Sequence, residues 1–299
     1  MENFILIVLA ILIGYVLKRL KVFPSDSAVI LNQFVIYISL PAMILLQIPK
    51  LTFSMDIMIP VIIAWMVMIL TAIVTLIVSN VLHFTKKITG ALMLVAVLTN
   101  SSFLGIPIIT AYLGAGALPF ILVYDQIGTF LALSTYGIFV AAYYSNKSEI
   151  NFQIMIVKIL TFPPFISLII ALFLIGIPFP DVLSKVLETL ANTIVPIALV
   201  AVGLQLQLQL PRHEIKPFTV ALSIKLIIAP IIALAIVKVA GWTTLAANVS
   251  IMEAGMAPMI TAGAMASLAG LAPRLSSAIV GYGIIISFVT TALWFQLLV

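Results

Sequence analysis

The chain is 299 residues long, 64% of them hydrophobic and only 8% charged, whereas a soluble domain carries roughly 25% charged residues. That is too few polar groups to cover a water-facing surface, so lipid must be the solvent for most of the chain; spans of about 20 apolar residues each leave no room for a soluble catalytic or nucleotide-binding domain. The net charge of +5 reads as anchoring of loops at the membrane surface rather than as a nucleic-acid interface, and the lack of cysteine excludes disulfides, thiolate metal sites and a cysteine nucleophile.

Apolar runs separated by polar or Pro/Gly breaks predict ten transmembrane helices, at 3–19, 28–48, 57–82, 89–113, 119–143, 153–176, 183–209, 217–239, 244–269 and 275–297. The first run is followed by Lys18, Arg19 and Lys21 and not by a small-residue cleavage site, so it is expected to be a span rather than a signal peptide. The second carries Pro41.

The fourth run contains Asn100, Ser101 and Ser102, then Gly105 and Pro107. Proline removes a backbone donor and clashes with the carbonyl four residues back. Glycine lowers the cost of irregular backbone, and Asn and Ser can bond the groups that are freed. Unwound backbone at membrane depth survives only inside protein or against a water-filled cavity, so this segment is expected to line one.

The fifth run carries Asp125 and Gln126, the seventh Pro196 and Asn192, and the eighth Lys225 well inside its ends. Intramembrane aspartate usually faces the bundle interior. Lys225 has two readings: a stem snorkelling to the interface, or a fixed cation for a substrate carboxylate, Glu253 or Asp125. The ninth run repeats the logic of the fourth, with Asn248, Ser250, Glu253, Gly255 and Pro258. Glu253 near the midplane costs about 2.5 kcal/mol or more if charged, so it must be protonated, paired, or in contact with water or an ion. Asn192, Asn248 and Ser250 are further candidates to line the same cavity, each weighed against a plain interhelical hydrogen bond. His83 and His213 fall in loops beside basic residues and read as interface anchors.

With the N-terminus outside, Lys18, Arg19, Lys21, Lys86, Lys87, Lys147, Lys158, Arg212, Lys216 and Arg274 all face the cytoplasm, and only Lys50, Lys185 and Lys238 face outward. That bias supports ten spans in the cell membrane with both termini outside. Ten spans divide into a first five-helix repeat at 1–144, a short cytoplasmic linker at 145–152 and a second repeat at 153–299; an odd number per half inverts the second. Pro107, Thr110 and Ala111 are echoed by Pro258, Thr261 and Ala262, and Pro41 by Pro196. Two discontinuous helices at matching places in inverted halves are the best sequence pointer to a transport site. Their half-helix N-termini suit a carboxylate, and their unwound carbonyls suit a cation.

The run Asn100 to Pro107, with Tyr124, Asp125 and Gln126 in the fifth span and the Leu40, Pro41, Ala42 step in the second, resembles the auxin efflux carrier family over essentially the whole chain. The short central loop resembles the compact prokaryotic type. The resemblance implies an all-α fold of two inverted five-helix repeats whose helices 4 and 9 cross at their prolines. It also implies a scaffold and a transport part that move relative to each other, similarity in fold to bile acid–sodium symporters, and small organic anions such as malate and malonate as substrates.

The expectation is therefore a secondary carrier of small carboxylates rather than an enzyme. Asn100, Ser101, Ser102, Gly105, Pro107, Lys225 and Pro258 would bind substrate, and Asp125, Gln126 and Glu253 would couple transport to H⁺ or Na⁺. The expected partners are membrane lipid and the organic acid. Homodimerisation is left open, and no cofactor is expected. A bile acid–sodium symporter-like carrier is the runner-up, and a channel or receptor-like protein the alternative of another class. No zinc motif or intramembrane aspartate pair supports a hydrolase, and no charged pore ring or filter repeat supports a channel.

Overall fold

The computed structural model describes all residues except 1, 25, 51–54, 146–152, 154–155, 158–159, 178, 209–211 and 299. Backbone in an apolar solvent must satisfy its own hydrogen bonds. Among the described residues it does so as helix, with one isolated backbone bridge, between Thr99 and Pro258. In chain order the α-helices are α1 Glu2–Arg19, α2 Ser27–Phe34, α3 Leu40–Gln47, α4 Met58–Val81, α5 Lys86–Val95, α6 Ile106–Leu113, α7 Leu118–Val123 and α8 Ile138–Ser145. The second half continues with α9 Pro163–Phe173, α10 Asp181–Ala191, α11 Ile194–Gln205, α12 Ile215–Ser223, α13 Ala229–Ala240, α14 Leu245–Ala254, α15 Ile260–Leu268 and α16 Pro273–Leu298.

Several of these run end to end. Among the described residues six continuous helical stretches are long and apolar enough to cross a membrane: Ser27–Lys50, Met58–Val81, Ala115–Ser145, Asp181–Gln205, Ile215–Ala240 and Pro273–Leu298. The chain is thus a multi-pass membrane protein. The runs at 89–113 and 244–269 fall outside that set because each is two short helices around a break, α5 with α6 and α14 with α15. The expected linker at 145–152 lies, but for Ser145, outside the described residues.

One local rule recurs. Five-residue π-turns at Val35–Ser39, Ser101–Gly105 and Ile224–Ile228 are each followed, two residues on, by a proline: Pro41, Pro107 and Pro230. A proline inside an α-helix has no N–H for the carbonyl four residues back and collides with it. Widening the preceding turn removes the collision. At Pro41 and Pro230 the residue before the proline then bonds five residues back instead, Leu40 to Val35 and Ala229 to Ile224. The helices therefore pass these prolines without unwinding. Two further π-segments, Tyr124–Phe130 and Leu133–Gly137, contain no proline.

The chain forms two compact units, each drawn from both halves of the sequence: Met1–Met55, Ser102–Leu122 and Val157–Leu206, and separately Asp56–Ser101, Val123–Ile156 and Gln207–Val299. In the first unit α1 lies on α11 with backbone touching backbone. A Cβ on Gly14 would collide with Val200 O, and one on Gly203 with Ile11 O, so only glycine fits at this contact. The opposite face of α1 exposes Ile5, Val8, Leu9, Leu12, Ile13 and Val16, a surface for lipid tails. The second unit packs α4, α5 and α12 to α16 with the Tyr124–Phe130 π-segment, and it contains every intramembrane charge singled out from the sequence.

Candidate functional site: two paired helix breaks around a buried ammonium

Thr85 caps α5, its hydroxyl accepting from Ile88 N at 3.4 Å. The helix runs to Val95 and unwinds over 96–100, where Thr99, Asn100 and Ser101 can compete for their own backbone groups. α14 stops at Ala254 for a different reason. Gly255 caps it, and Pro258 has no N–H and disfavours helix at the residue before it. α15 resumes at Ile260.

The two breaks lie against each other. Asn100 N donates to Ala257 O at 3.0 Å, and Met259 N donates to Leu98 O at 3.1 Å, with Thr99 opposite Pro258 in antiparallel pairing. Each gap thus supplies the hydrogen bonds the other lost, which is how irregular backbone persists at membrane depth. Close approach is permitted by Gly283 on α16, where a Cβ would sit 2.5 Å from Pro258 Cδ.

Lys225 is fully buried, 0% exposed. Its Nζ donates to Thr99 Oγ1 at 2.5 Å and to Ala254 O at 3.0 Å. The ammonium therefore joins the first break to the last carbonyl of α14, where the helix dipole is negative and favours a cation. The snorkelling reading of Lys225 is overturned: the side chain turns inward because these oxygens solvate it. Its place in the helix depends on Pro230. That proline deprives Leu226 O of its partner, and Trp294 Nε1 donates to that oxygen at 3.1 Å. On the other π-segment Trp65 Nε1 donates in the same way to Ile127 O at 3.0 Å.

Asp125 accepts from Ser101 Oγ and from Gln126 Nε2, each at 2.5 Å, so both of its oxygens are engaged. Glu253 differs. It is 0% exposed, and neither carboxyl oxygen has a hydrogen-bond partner among the described residues, although Asp125 and Lys225 lie within electrostatic reach. Tyr124 is buried against Thr99 and also within reach of Glu253. Among the described residues seven buried side-chain N or O atoms lack a partner, and four of them belong to Asn100, Gln126 and Glu253. An unpaired buried polar atom costs about 1–3 kcal/mol, so this concentration marks a place built for something other than stability.

Of the expected site residues, Asn100, Ser101, Asp125, Gln126, Lys225, Glu253 and Pro258 thus fall in one unit. Ser102, Gly105 and Pro107 belong to the other. Gly105 has ordinary helical angles (φ −58°, ψ −52°) and uses none of glycine's freedom, and Pro107 sits in the first turn of α6 after its π-turn. The first break therefore lies ahead of Pro107 rather than at it. Ser250 donates to Ala246 O of its own helix, and Asn192 is exposed, so neither serves this cluster. Sequence reasoning missed Thr99, Trp65 and Trp294, and read Tyr124 only as part of the family resemblance. Trp294 had a readable signal: an indole N–H drawn out of water needs an acceptor, and Pro230 frees Leu226 O.

A family model described as "Membrane transport protein" matches residues 1–295. An uncharacterized transporter of Methanothermobacter thermautotrophicus is 25% identical over 297 residues, covering 98% of this chain and 96% of the relative. An uncharacterized transporter of Methanocaldococcus jannaschii is 24% identical over 303 residues, covering 98% and 97%.

Proposed function

Because the chain belongs to the membrane transport protein family, the family of the auxin efflux carriers, and is a transporter rather than an enzyme, we propose that it is a secondary carrier of small organic anions working by alternating access around its two helix breaks. The observation that carries this reading is the buried ammonium of Lys225 between the breaks, beside unpartnered polar atoms of Asn100, Gln126 and Glu253. A carboxylate needs a cation and N–H donors in a dry place. The ammonium has a third proton to give, and Asn100 Nδ2 has no partner among the described residues. Malonate and malate are the substrate class this chemistry and the family resemblance favour.

We read the ten apolar runs as ten spans in two inverted halves, with both termini outside the cell membrane, and the paired breaks as the crossover of helices 4 and 9. Support comes from the charge bias of the loops and from the helix pairs α5–α6 and α14–α15, which interrupt the corresponding runs of each half.

Proton coupling through Glu253 fits better than sodium coupling. Carriers of this kind hold a cation with unwound carbonyls and half-helix C-termini. Here the C-terminal carbonyl Ala254 O, together with the hydroxyl Thr99 Oγ1, already solvates a covalently attached cation. Asp125 serves as the positioning group that holds Ser101, and Glu253 as the group that gains and loses a proton.

The test is uptake of labelled malonate and malate into proteoliposomes under imposed pH and Na⁺ gradients. A pH gradient should drive saturable accumulation, and Na⁺ should not. Accumulation driven only by Na⁺ would transfer the protein to the symporter-like reading, and accumulation of neither acid under either gradient would refute the substrate class.

A further inference from the structure

The first unit contains a cavity of about 420 Å³ that the transport reading does not use. It lies where the end of α1, the loop to α2, the first turn of α2 and the end of α11 meet, and is lined by Lys18, Lys21, Phe23, Pro24, Ala28 and Leu204. That volume falls within the roughly 300–1,000 Å³ of small-molecule sites. Two lysines line it, and no carboxylate is among its described lining residues. Lys18 Nζ donates to Leu206 O at 2.8 Å, which fixes it at the wall while leaving two protons. Arg19 is engaged elsewhere, with two bonds to Tyr15 Oη and its guanidinium over the Tyr15 ring.

The backbone gives a second, independent observation. α1 ends in a left-handed cap: Lys21 N bonds Lys18 O at 3.2 Å, and Val22 N bonds Leu17 O at 3.2 Å. The pivot residue of such a cap needs positive φ, and glycine is the usual occupant. Gly241 and Gly270 fill the same role at the ends of α13 and α15, with φ of +70° and +71°. At α1 the pivot is Lys21, with φ +54°, a conformation that strains a residue with a Cβ. A lysine thus stands where glycine is usual, as His83 does at the end of α4 with φ +53°, and Lys21 lines the cavity.

We propose that this cavity binds the headgroup of an anionic phospholipid, with Lys18 and Lys21 as counter-cations to the phosphate and Phe23, Pro24, Ala28 and Leu204 as the wall for the glycerol and first methylenes. The location argues for lipid over a soluble anion. A cluster of cations closing an apolar helix marks the membrane surface, and Phe23 of the lining, with Leu20 and Val22 beside it in sequence, is an exposed apolar side chain suited to acyl chains. Basic groups beside an anionic bilayer each strengthen binding by about fivefold.

The experiment measures binding of short-chain phosphatidylglycerol and phosphatidylcholine to the purified full-length protein in neutral detergent, with inorganic phosphate as a competitor, in the native protein and in Lys18→Gln and Lys21→Gly. Native protein should prefer phosphatidylglycerol, each substitution should weaken that preference about fivefold, and millimolar phosphate should not displace the lipid. Lys21→Gly relieves the strained cap, so its melting temperature should hold or rise while lipid preference falls; this keeps the test valid if Lys18→Gln proves unstable. Unchanged preference in Lys21→Gly would overturn the proposal, and so would full displacement by inorganic phosphate, which would make the cavity a soluble-anion site.

Discussion

At the scale of single residues, the site separates its charges by how they are satisfied. Asp125 has acceptor bonds at both oxygens, Lys225 has two oxygen partners, and Glu253 has none among the described residues. An isolated charge at the bilayer centre costs about 2.5–3.5 kcal/mol, so under the proposed function Glu253 is the group that gains and loses the proton. Glu253→Gln loses no hydrogen bond seen here and should leave the melting temperature within a few degrees. It should also abolish the response of uptake to an imposed pH gradient while exchange at equal pH persists. Lys225→Met removes the donor from Thr99 Oγ1 and Ala254 O, a loss of about 1–3 kcal/mol, and should lower carboxylate uptake at least tenfold. Uptake by both variants that is indistinguishable from the native protein would contradict these roles.

At the scale of elements, prolines do two different jobs in this chain. Pro41, Pro107 and Pro230 are absorbed by π-turns and leave their helices running, whereas Pro258 sits in a gap. The distinction was not legible from the prolines alone. The second break was readable because Gly255 and Pro258 fall three residues apart. The first was expected around Pro107, but backbone competition by Thr99, Asn100 and Ser101 sets it earlier. For Lys225 the π-turn sets the direction of the side chain. Pro230→Ala restores the missing N–H and lets the turn close to α-helix, which rotates Lys225 by about 100° relative to α13. Removing a helix-interior proline recovers up to about 3 kcal/mol, so this variant should melt no lower than the native protein and yet lose uptake. A circular-dichroism melt paired with an uptake assay checks both halves of that expectation. A variant that is both stable and active would remove the π-turn from the mechanism.

At the scale of the whole molecule, the membrane class and the placing of the six long apolar helices were legible because apolar run length is set by bilayer thickness. The gathering of Asn100, Asp125, Lys225 and Glu253 was legible only as a suspicion, since buried charge needs partners but sequence does not say which. Their pairing needed the antiparallel contact of the two breaks, a long-range arrangement with no local signature. Nor was it legible that each compact unit draws on both halves of the chain. That division gathers the intramembrane charges into one unit and leaves α1, α11 and the lysine-lined cavity to the other. The central claim is that the paired breaks form the site of a carrier rather than a pore. Counterflow tests it most directly: proteoliposomes loaded with unlabelled malonate and diluted into a trace of label. A carrier must take label up transiently above its final level, and Lys225→Met must not. Label that rises to its final level without overshoot, or an overshoot unchanged by Lys225→Met, would contradict the account.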